Sequence, residues 1–237
     1  MSDSNRTIGV GRTALFVGAS RGLGLGLVQQ HLARGWKVIA TVRKPSDALH
    51  ALSAEAGDSL VIETLDMNEP AQLEALADRL GSTRLDLLFV NAGVAHDPSQ
   101  TIGSVSDEQF FHILRTNTLS PMRVVERLEG LVPSPGTIAV MSSSLGSVAM
   151  NETGGYETYR ASKAALDTLL RSVAARRKDS RRTFLAVDPG WVRTDMGGPG
   201  ANLDVETSTS GVTGMLEARR GTPGVFFVTY ANKELPW

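Results

Sequence analysis

The sequence predicts an α/β fold in which a doubly wound parallel β-sheet carries helices on both faces. Short apolar runs that end at glycine or polar residues alternate with amphipathic helical patterns along the 237 residues. Such alternation implies right-handed crossovers between parallel strands. No internal repeat, low-complexity tract or linker interrupts the pattern. We therefore expect one domain over residues 1–237, with about seven strands and a flexible N-terminus at residues 1–11.

Composition and charge narrow the class of function. The net charge of −1 gives no broad attraction for nucleic acid or an anionic membrane. The absence of cysteine excludes disulfides and thiolate chemistry. No apolar run approaches the roughly 20 residues of a membrane span, and we expect no signal peptide because residues 1–12 lack a hydrophobic segment. These features predict a soluble, cytoplasmic protein that acts on a small molecule without a metal.

The first predicted strand, residues 13–17, leads into a glycine-rich turn. Its glycines, Gly18, Gly22 and Gly24, are spaced G-x-x-x-G-x-G and precede a predicted helix that runs to about Arg34. Positions without side chains let a phosphate approach the backbone N–H groups at the positive end of a helix. The turn is therefore predicted to bind the phosphates of a nucleotide, and the alternative is a plain tight turn.

The end of the second predicted strand, Trp36–Val42, indicates which nucleotide would bind at the glycine turn. An acidic residue at this place would bind a ribose 2′-hydroxyl, whereas an arginine suits a 2′-phosphate. Here Arg43 follows the strand, and no carboxylate occurs before Asp47. Arg21, inside the glycine turn, could reach the same phosphate. NADP(H) is therefore favoured over NAD(H), and the alternative is a pair of ordinary surface arginines.

Two further strand ends carry small or polar residues. The pattern continues with helices over about 46–56 and 70–80 and with strands at 59–65 and 85–90. Asp66-Met67 ends the first of these strands, and Asn91-Ala92-Gly93 ends the second. Because ligands of parallel sheets bind beyond the carboxyl ends of the strands, both segments are candidates to line a cofactor cleft. Asn-Ala-Gly also makes an ordinary turn.

A long helix is predicted over about 106–128, starting at the capping sequence Ser106-Asp107-Glu108-Gln109. Asn117 lies in its middle, where asparagine is unfavourable because its side chain competes for backbone hydrogen bonds. A buried Asn117 could open a local kink and hold a water molecule, and the alternative is one solvated asparagine. The next strand, 137–141, is followed by a serine cluster at 142–147. Its hydroxyls could bond a substrate oxygen or belong to an ordinary loop.

Tyr159 and Lys163 form the strongest catalytic candidate pair. A helix predicted over 159–176 places them four residues apart and on one face. A free phenol has a pKa near ~10, and a nearby ammonium favours the phenolate, which brings a tyrosine closer to use as an acid or base. The alternative is a surface pair on an amphipathic helix.

The last part of the chain contains two more strands and a predicted lid. A strand at 183–187 is followed by Asp188-Pro189-Gly190, and a final strand includes 225–228. Residues 197–210 are rich in glycine, serine and threonine and show little periodicity, which is typical of a flexible lid. We place the predicted substrate lid at residues 191–210.

These motifs together resemble the classical short-chain dehydrogenase/reductase family. From about Arg12 to Trp237, five motifs occur in the family's order: Gly18-x-x-x-Gly22-x-Gly24, Asn91-Ala92-Gly93, the Ser143 region, Tyr159-x-x-x-Lys163 and Pro189-Gly190. The forms Y-R-A-S-K, P-G-W-V-R-T-D-M-G-G and L-P-W are similar to the branch with C-factor-like proteins and small carbonyl reductases. The resemblance implies a Rossmann-type sheet and a homodimer or homotetramer.

The resemblance also implies catalytic roles. Tyr159 would exchange a proton with the substrate oxygen as hydride moves to or from the nicotinamide. Lys163 would lower the tyrosine pKa and bond the nicotinamide ribose. Ser143, the serine that fits the family's S-x-x-G, would orient the carbonyl, and Asn117 would hold a water that links Lys163 to solvent.

The chain departs from the family pattern in a few places. Val17 replaces the threonine that usually precedes the glycine turn, which is expected to cost a hydrogen bond. The interval from the serine to the tyrosine is long, so residues 151–155 are expected to bulge at the substrate mouth. Tyr156 is a rival tyrosine, but Arg160 and not lysine lies four residues beyond it.

By the same resemblance, a set of residues is expected to bind the cofactor and another to line the substrate pocket. The cofactor set is Gly18, Ser20, Arg21, Gly22, Leu23, Gly24, Arg43, Asp66, Met67, Asn91, Ala92, Gly93, Tyr159, Lys163, Pro189, Gly190, Val192 and Thr194. The substrate set is Val94, Leu145, Tyr156, Trp191 and Met196, with His96, Ala149 and Met150 as further positions. The leading hypothesis is an NADP(H)-dependent oxidoreductase of carbonyls or alcohols. The alternative is a cofactor-binding signalling or regulatory protein with little turnover.

Overall fold

The computed structural model describes residues 11–237, and within that range seven strands form one parallel sheet. The strands are β1 Thr13–Val17, β2 Lys37–Val42, β3 Leu60–Thr64, β4 Leu87–Val90, β5 Thr137–Met141, β6 Thr183–Asp188 and β7 Gly224–Thr229. Their spatial order is β3-β2-β1-β4-β5-β6-β7. The predicted doubly wound parallel sheet is therefore confirmed. The expected flexible N-terminus at residues 1–11 lies outside the described residues, apart from Gly11.

The central strands are short apolar runs because both of their faces are covered. Strands β4, β5 and β6 are buried at every residue, as expected for a parallel sheet between two helical layers. Val61 of the edge strand β3, in contrast, is 49% exposed. Burial on both faces explains why these segments lack the polar alternation of half-exposed strands.

Helices cover both faces of the sheet. They are α1 Gly22–Leu32, α2 Asp47–Ala56, α3 Pro70–Leu80, α4 Asp107–Leu114, α5 Ser120–Leu128, α6 Glu157–Arg176 and α7 Val205–Arg219. Alternate residues of β1 point to different cores: Leu15 packs in a cluster with residues of α3, α5 and α6, and Phe16 in a cluster with residues of α1, α2 and α7. The two apolar clusters hold the sheet between three helices on each side.

Helix α7 was not expected from the sequence. The prediction of an irregular segment over residues 197–210 is wrong from Val205 onward, because α7 begins there. Asp204 caps this helix by accepting a hydrogen bond from the Thr207 N–H at 2.7 Å. Its buried face carries hydroxyl residues, and Thr209 satisfies its own hydroxyl on the Val205 carbonyl at 2.8 Å. Hydrophobic periodicity is therefore weak although the helix is well packed.

The close packing of α7 against α1 depends on Gly26. A Cβ atom at Gly26 would lie 2.9 Å from Cγ2 of Thr209 and 2.9 Å from Cγ1 of Val205. Small and hydroxyl side chains thus bring the two helices together where large apolar residues would hold them apart. This contact fixes α1, whose N-terminus faces the candidate site.

The helix predicted over 106–128 is continuous but changes its winding. One π-helical turn, Arg115–Leu119, joins α4 to α5 and contains Asn117. Single π turns are a recognised cause of helix kinks, so this turn is consistent with the predicted local kink at Asn117, which stays a prediction. Helix α6 begins at Glu157, two residues before the predicted start at Tyr159.

Candidate active site

A cleft of about 360 Å³ opens at the carboxyl ends of the strands. The residue that follows each of β1 to β6 lines it: Gly18, Arg43, Leu65, Asn91, Ser142 and Pro189. The sheet order places β1 between β2 and β4, so the chain reverses its direction of winding there. Parallel sheets bind ligands at this switch point. The topology therefore assembles the predicted cofactor segments around one cavity.

The glycine turn leaves no room for side chains because it packs closely against the rest of the protein. Gly18 has φ +87°, and a Cβ atom there would lie 2.6 Å from Cβ of Ala92. A Cβ at Gly24 would lie 2.1 Å from the Gly18 carbonyl oxygen, so this position also excludes any side chain. Arg21 precedes α1 without a side-chain cap, which leaves the first N–H groups of the helix available to an anion.

Two hydrogen bonds hold the glycine turn in place. Thr41 of β2 accepts a bond from the Gly18 N–H at 3.1 Å, and the Asn91 side-chain amide donates to the Gly18 carbonyl at 2.7 Å. A hydroxyl thus reaches the turn from the neighbouring strand although Val17 occupies the family's threonine position. Asn91 joins the turn after β1 to the turn after β4, so its side chain has a structural task of its own.

Two arginines give the cleft positive charge. Arg21 and Arg43 both line it, as the sequence predicts. Arg21 forms an ion pair with Asp195, which belongs to the segment after β6. The two side chains are 74% and 75% exposed, and such pairs contribute little free energy. Arg21 can therefore exchange this partner for a phosphate at small cost.

Tyr159 and Lys163 lie one helical turn apart on α6 and both line the cleft. The Lys163 ammonium lies 5.6 Å from the centroid of the Tyr159 ring. Its hydrogen bond goes to the Met141 carbonyl at 2.8 Å. The positive charge is thus beside the ring and is not bonded to the phenol oxygen. The alternative of a surface tyrosine–lysine pair is wrong, because Lys163 is only 3% exposed.

Burial controls the protonation of this pair. Removal from water raises the pKa of Tyr159 well above its ordinary value of 10, the negative charge of Asp188 raises it further, and the Ser143 hydroxyl beside it lowers it in part. Burial lowers the pKa of Lys163 to about 8, against the attraction of Asp167. The expectation of a lowered tyrosine pKa is therefore wrong for this geometry. The phenol stays protonated at neutral pH.

Ser143 and Asp188 complete the surroundings of the phenol. The Ser143 hydroxyl caps the short 3₁₀ helix Ser144–Gly146 by accepting a bond from the Leu145 N–H at 3.2 Å. Asp188 is buried at the end of β6 and accepts a bond from the Gly190 N–H at 3.3 Å. Ser142, not Ser143, forms part of the wall of the 360 Å³ cleft. The Ser143 hydroxyl acts on the pKa of Tyr159, while its predicted role in orienting a carbonyl stays a prediction. The sequence alone does not single out Asp188.

Asn117 is fully buried behind this wall. Its amide accepts a bond from the Val94 N–H and donates one to the Val94 carbonyl, both at 2.8 Å, and donates another to the Ser162 hydroxyl at 3.0 Å. A Cβ atom at Gly93 would lie 3.3 Å from Oδ1 of Asn117 and 3.5 Å from Nζ of Lys163. The alternative of a solvated asparagine is thus wrong. Whether Asn117 also holds a water stays a prediction.

Most predicted cofactor residues lie around the cleft, and a few lie elsewhere. Those that line it are Gly18, Ser20, Arg21, Gly22, Leu23, Arg43, Asp66, Met67, Asn91, Ala92, Gly93, Tyr159, Lys163, Pro189 and Thr194. Gly24, Gly190 and Val192 are not part of its wall. Gly190 has φ +77°, and a Cβ atom there would lie 2.6 Å from Cδ1 of Leu203 and 3.1 Å from Cε1 of Tyr230, so the packing of this loop requires glycine.

The predicted substrate residues are dispersed. Val94 and Met196 line the cleft, whereas Leu145 lines a second cavity of about 220 Å³. Trp191 is 54% exposed, and its indole N–H donates to the Gly197 carbonyl at 2.8 Å. Tyr156 stands at the start of α6 with φ +53°, and its ring lies 6.5 Å from that of Tyr159. Leu145, Tyr156 and Trp191 are therefore outside the wall of the main cleft.

Several residues of the cleft wall were missed by the sequence prediction. They are Val17, Val42, Leu65, Asn68, Thr116, Met141, Ser142, Arg193, Asp195 and Val205. Asn68 donates to the Thr116 hydroxyl at 3.1 Å and accepts from the Ser120 hydroxyl at 2.7 Å, which ties the segment after β3 to the π turn and α5. In the sequence, the position of Asn68 directly after the predicted cofactor segment Asp66-Met67 was the feature that could have identified it.

Two negative findings apply to residues 11–237. Over that range no group of histidine, cysteine, aspartate or glutamate side chains is arranged to hold a metal ion. Nor does any helix in the same range have the length and apolar character needed to cross a membrane.

Comparison with known proteins gives consistent matches. A family model described as short chain dehydrogenase matches residues 12–202. The C-signal protein of Myxococcus xanthus is 33% identical over 170 residues, which are 70% of this chain and 100% of that protein. A short-chain dehydrogenase/reductase of Burkholderia multivorans solved with bound NADP is 49% identical with a TM-score of 0.94, over 95% of this chain and 99% of that one. A carbonyl reductase of Pseudomonas aeruginosa PAO1 in complex with NADP is 39% identical with a TM-score of 0.89, over the same shares of the two chains.

Proposed function

The chain belongs to the short-chain dehydrogenase family, and from that membership we propose that it is an NADP(H)-dependent oxidoreductase that reduces an aldehyde or ketone to the alcohol. The observation that carries this proposal is the shared cleft. A glycine turn suited to phosphates, the half-buried Tyr159 and the buried Lys163 line the same cavity. The reaction is an oxidation–reduction at a carbonyl carbon, and the reverse oxidation of an alcohol uses the same groups.

The residues around the cleft fit a dinucleotide with a 2′-phosphate. Gly18, Gly22 and the uncapped start of α1, all at the cleft, would hold the pyrophosphate. Arg21 and Arg43 would bind the 2′-phosphate. Both solved structures named above were obtained with NADP, which supports the same assignment here.

Further residues would hold the remaining parts of the cofactor. Asp66 and Met67 would contact the adenine, and Lys163 the nicotinamide ribose. Val192 and Thr194 would bind the carboxamide, Thr194 from the cleft wall and Val192 from the buried bridge it forms with Leu203. Bound in this way, the nicotinamide supplies or accepts the hydride.

The protein's own part in the reaction is proton transfer. Because the Tyr159 phenol is protonated at neutral pH, we assign it as the general acid that donates a proton to the substrate oxygen. The Lys163 ammonium, 5.6 Å from the ring centre, would stabilise the phenolate that remains. Ser143 would donate a hydrogen bond to the same oxygen and polarise the carbonyl. This protonation state favours reduction over oxidation.

The substrate proposed is a small carbonyl compound of mixed or apolar character. Val94 and Met196 supply apolar side chains to the cleft wall, and Met196 is 52% exposed. Residues 191–204 connect β6 to α7 and are proposed as the lid over the cleft. The exposed segment 151–155 lies just before α6 at the same end of the sheet.

A homodimer or homotetramer is proposed as the assembled form. Phe111 of α4 and Leu169 of α6 are 64% and 40% exposed, and Leu119 of the π turn between α4 and α5 is 43% exposed. Helix α4 packs against α6, so these apolar side chains lie on adjoining elements. Exposed apolar groups on neighbouring helices are typical of association surfaces.

The proposal is tested by following the oxidation of NADPH and NADH at 340 nm against a panel of aldehydes, ketones and quinones. We expect turnover with NADPH that is lost in Tyr159→Phe. Tight NADPH binding without turnover on any compound would instead favour a signalling or regulatory protein of this fold. That second candidate rests on one observation, the 33% identity to the C-signal protein over its full length.

A further inference from the structure

Asp167 is a buried carboxylate without a hydrogen-bond partner. The residue is 4% exposed, and neither of its side-chain oxygens has a partner among the described residues. An unpaired buried polar group costs roughly 1–3 kcal/mol, and more when it is charged. Buried carboxylates in folded proteins are therefore usually paired. An exception this close to a candidate active site calls for a functional reason.

Asp167 belongs to α6, and its side chain lies against Gly146 of the 3₁₀ helix that follows Ser143. It follows Lys163 by four residues on α6, so the two side chains share a face. A Cβ atom at Gly146 would lie 2.9 Å from Oδ2 of Asp167 and 2.9 Å from Cβ of Lys163. Only a glycine at position 146 leaves room for this arrangement.

A second unpaired group accompanies Asp167. The Ser142 hydroxyl is buried, lacks a hydrogen-bond partner among the described residues, and belongs to the wall of the cleft. Although the two side chains do not meet hydrogen-bond geometry, the Ser142 hydroxyl lowers the pKa of the Asp167 carboxyl in part. Ser142 thus belongs both to the cleft wall and to the surroundings of Asp167.

The charges around Asp167 are few. Elements that pack against α6 are the 3₁₀ helix Ser144–Gly146, the π turn, α4, α5, β6 and β7. Their titratable or charged residues are Asp107, Glu108, His112, Arg115, Arg123, Glu126, Arg127 and Asp188. None of these influences Asp167, on which only the charge of Lys163 acts. Tyr159, in turn, is influenced by Asp188, Asp167 and Tyr156.

We propose that Asp167 is a positioning residue, acting through Lys163 and Tyr159, that sets the pH range in which the pair can donate a proton. The proposal rests on the proposed reductase function. As a carboxylate, Asp167 stabilises the Lys163 ammonium and the protonated phenol of Tyr159. As a carboxylic acid it exerts neither effect. Burial raises the pKa of Asp167 to about 7, so this change falls within the physiological range.

The decisive variant is Asp167→Asn, which keeps the shape and removes the charge. Loss of the carboxylate lowers the pKa of both Lys163 and Tyr159, so the alkaline limb of the pH profile of kcat for reduction should move down by about one pH unit. The KM for NADPH should stay within about twofold. Asp58→Asn, at an exposed aspartate outside the cleft, is the matched control and should leave the profile in place.

A second readout does not need turnover. With aspartate labelled at Cγ with ¹³C, one carboxyl resonance should titrate with a midpoint of about 7 and be absent from Asp167→Asn. In Lys163→Met the same midpoint should rise, because the neighbouring cation is gone.

The outcomes separate the two proposals. If the wild type reduces no carbonyl compound but the Asp167 resonance shifts its midpoint in Lys163→Met, the proposed function fails and the electrostatic coupling of Asp167 to Lys163 is supported. If the wild type is active and the pH profiles of wild type and Asp167→Asn coincide, the role of Asp167 is overturned. An unshifted resonance in Lys163→Met overturns it as well.

Discussion

Lys163 places its ammonium group 5.6 Å from the centre of the Tyr159 ring while bonding to the Met141 carbonyl at 2.8 Å. The cation therefore faces the ring and does not pull directly on the phenol oxygen. Burial then dominates, and the phenol keeps its proton at neutral pH. The nearby ammonium favours the phenolate, but the effect of burial on the phenol is larger. The pair is thus built for a tyrosine that gives a proton to its substrate.

Tyr159→Phe should lower kcat by about 10²- to 10⁴-fold, the usual contribution of a general acid. NADPH affinity should change little, because the ring and Lys163 remain. Turnover is measured at 340 nm and binding by quenching of protein fluorescence. Tyr230→Phe, which removes a phenol that does not line the cleft, is the matched control and should stay active. Near wild-type turnover in Tyr159→Phe would exclude the mechanism.

Arg43→Asp should shift cofactor preference toward NADH. The substitution removes a cation from the cleft wall and adds a carboxylate that repels a 2′-phosphate but can bond a 2′-hydroxyl. The ratio of kcat/KM for NADPH to that for NADH should fall at least about tenfold, equivalent to about 1.4 kcal/mol.

The control for this change is Lys44→Asp. Lys44 is the next residue and exposed, but it does not line the cleft. Lys44→Asp changes the net charge by the same amount as Arg43→Asp, so a general electrostatic effect would alter the cofactor ratio of both variants equally. An unchanged cofactor ratio in Arg43→Asp would remove the assignment of Arg43 to the 2′-phosphate.

Leu169→Glu should weaken self-association. Leu169 is 40% exposed on α6, a helix that packs against α4 with its exposed Phe111, and a carboxylate buried between two copies would be unpaired. Light scattering coupled to size exclusion should show a smaller particle than the wild type. Val61→Glu on the edge strand β3, where Val61 is 49% exposed, should leave the mass unchanged. A Leu169→Glu particle of wild-type mass would place any interface elsewhere.

The strands and the cleft were predictable because their signals are local. Each strand is a compact apolar run, and the turns after β1 and β4 carry glycines or small residues whose spacing can be read directly. Parallel topology then requires those turns to meet at one edge of the sheet. The positions of Gly18, Arg43 and Asn91 around one cavity follow from this reasoning alone.

What the sequence could not reveal depends on packing. Helix α7 was missed because its buried face uses Ser208, Thr209 and Thr213, whose side chains give no apolar period. Asp167 looks like an ordinary helical aspartate until α6 is docked against Gly146. The raised pKa of Tyr159 likewise comes from the depth of its burial, which sequence spacing does not measure.

The remaining prediction concerns stability at acid pH and His31. This histidine is 1% exposed, packs edge-on against the rings of Phe16 and Trp36, and its Nδ1 bonds the Leu27 carbonyl at 2.8 Å. Burial lowers its pKa from 6.5 to about 4. The unfolded chain therefore takes up a proton at a higher pH than the folded protein does. The contribution of neutral His31 to the free energy of unfolding is complete above pH ~6.5. It is lost progressively as the pH falls toward ~4, where the loss reaches about 3 kcal/mol.

Denaturant titrations of wild type and His31→Gln between pH 7 and pH 4 test this directly. Glutamine can still bond the Leu27 carbonyl but does not titrate in this range, so the free energy of unfolding of the variant should fall less steeply than that of the wild type. His50→Gln, at an exposed position of α2, should keep the wild-type slope. Carboxylates titrate alike in all three proteins, so the difference between the curves isolates His31. Parallel curves for wild type and His31→Gln would mean that the imidazole takes up its proton without unfolding the core around Phe16 and Trp36.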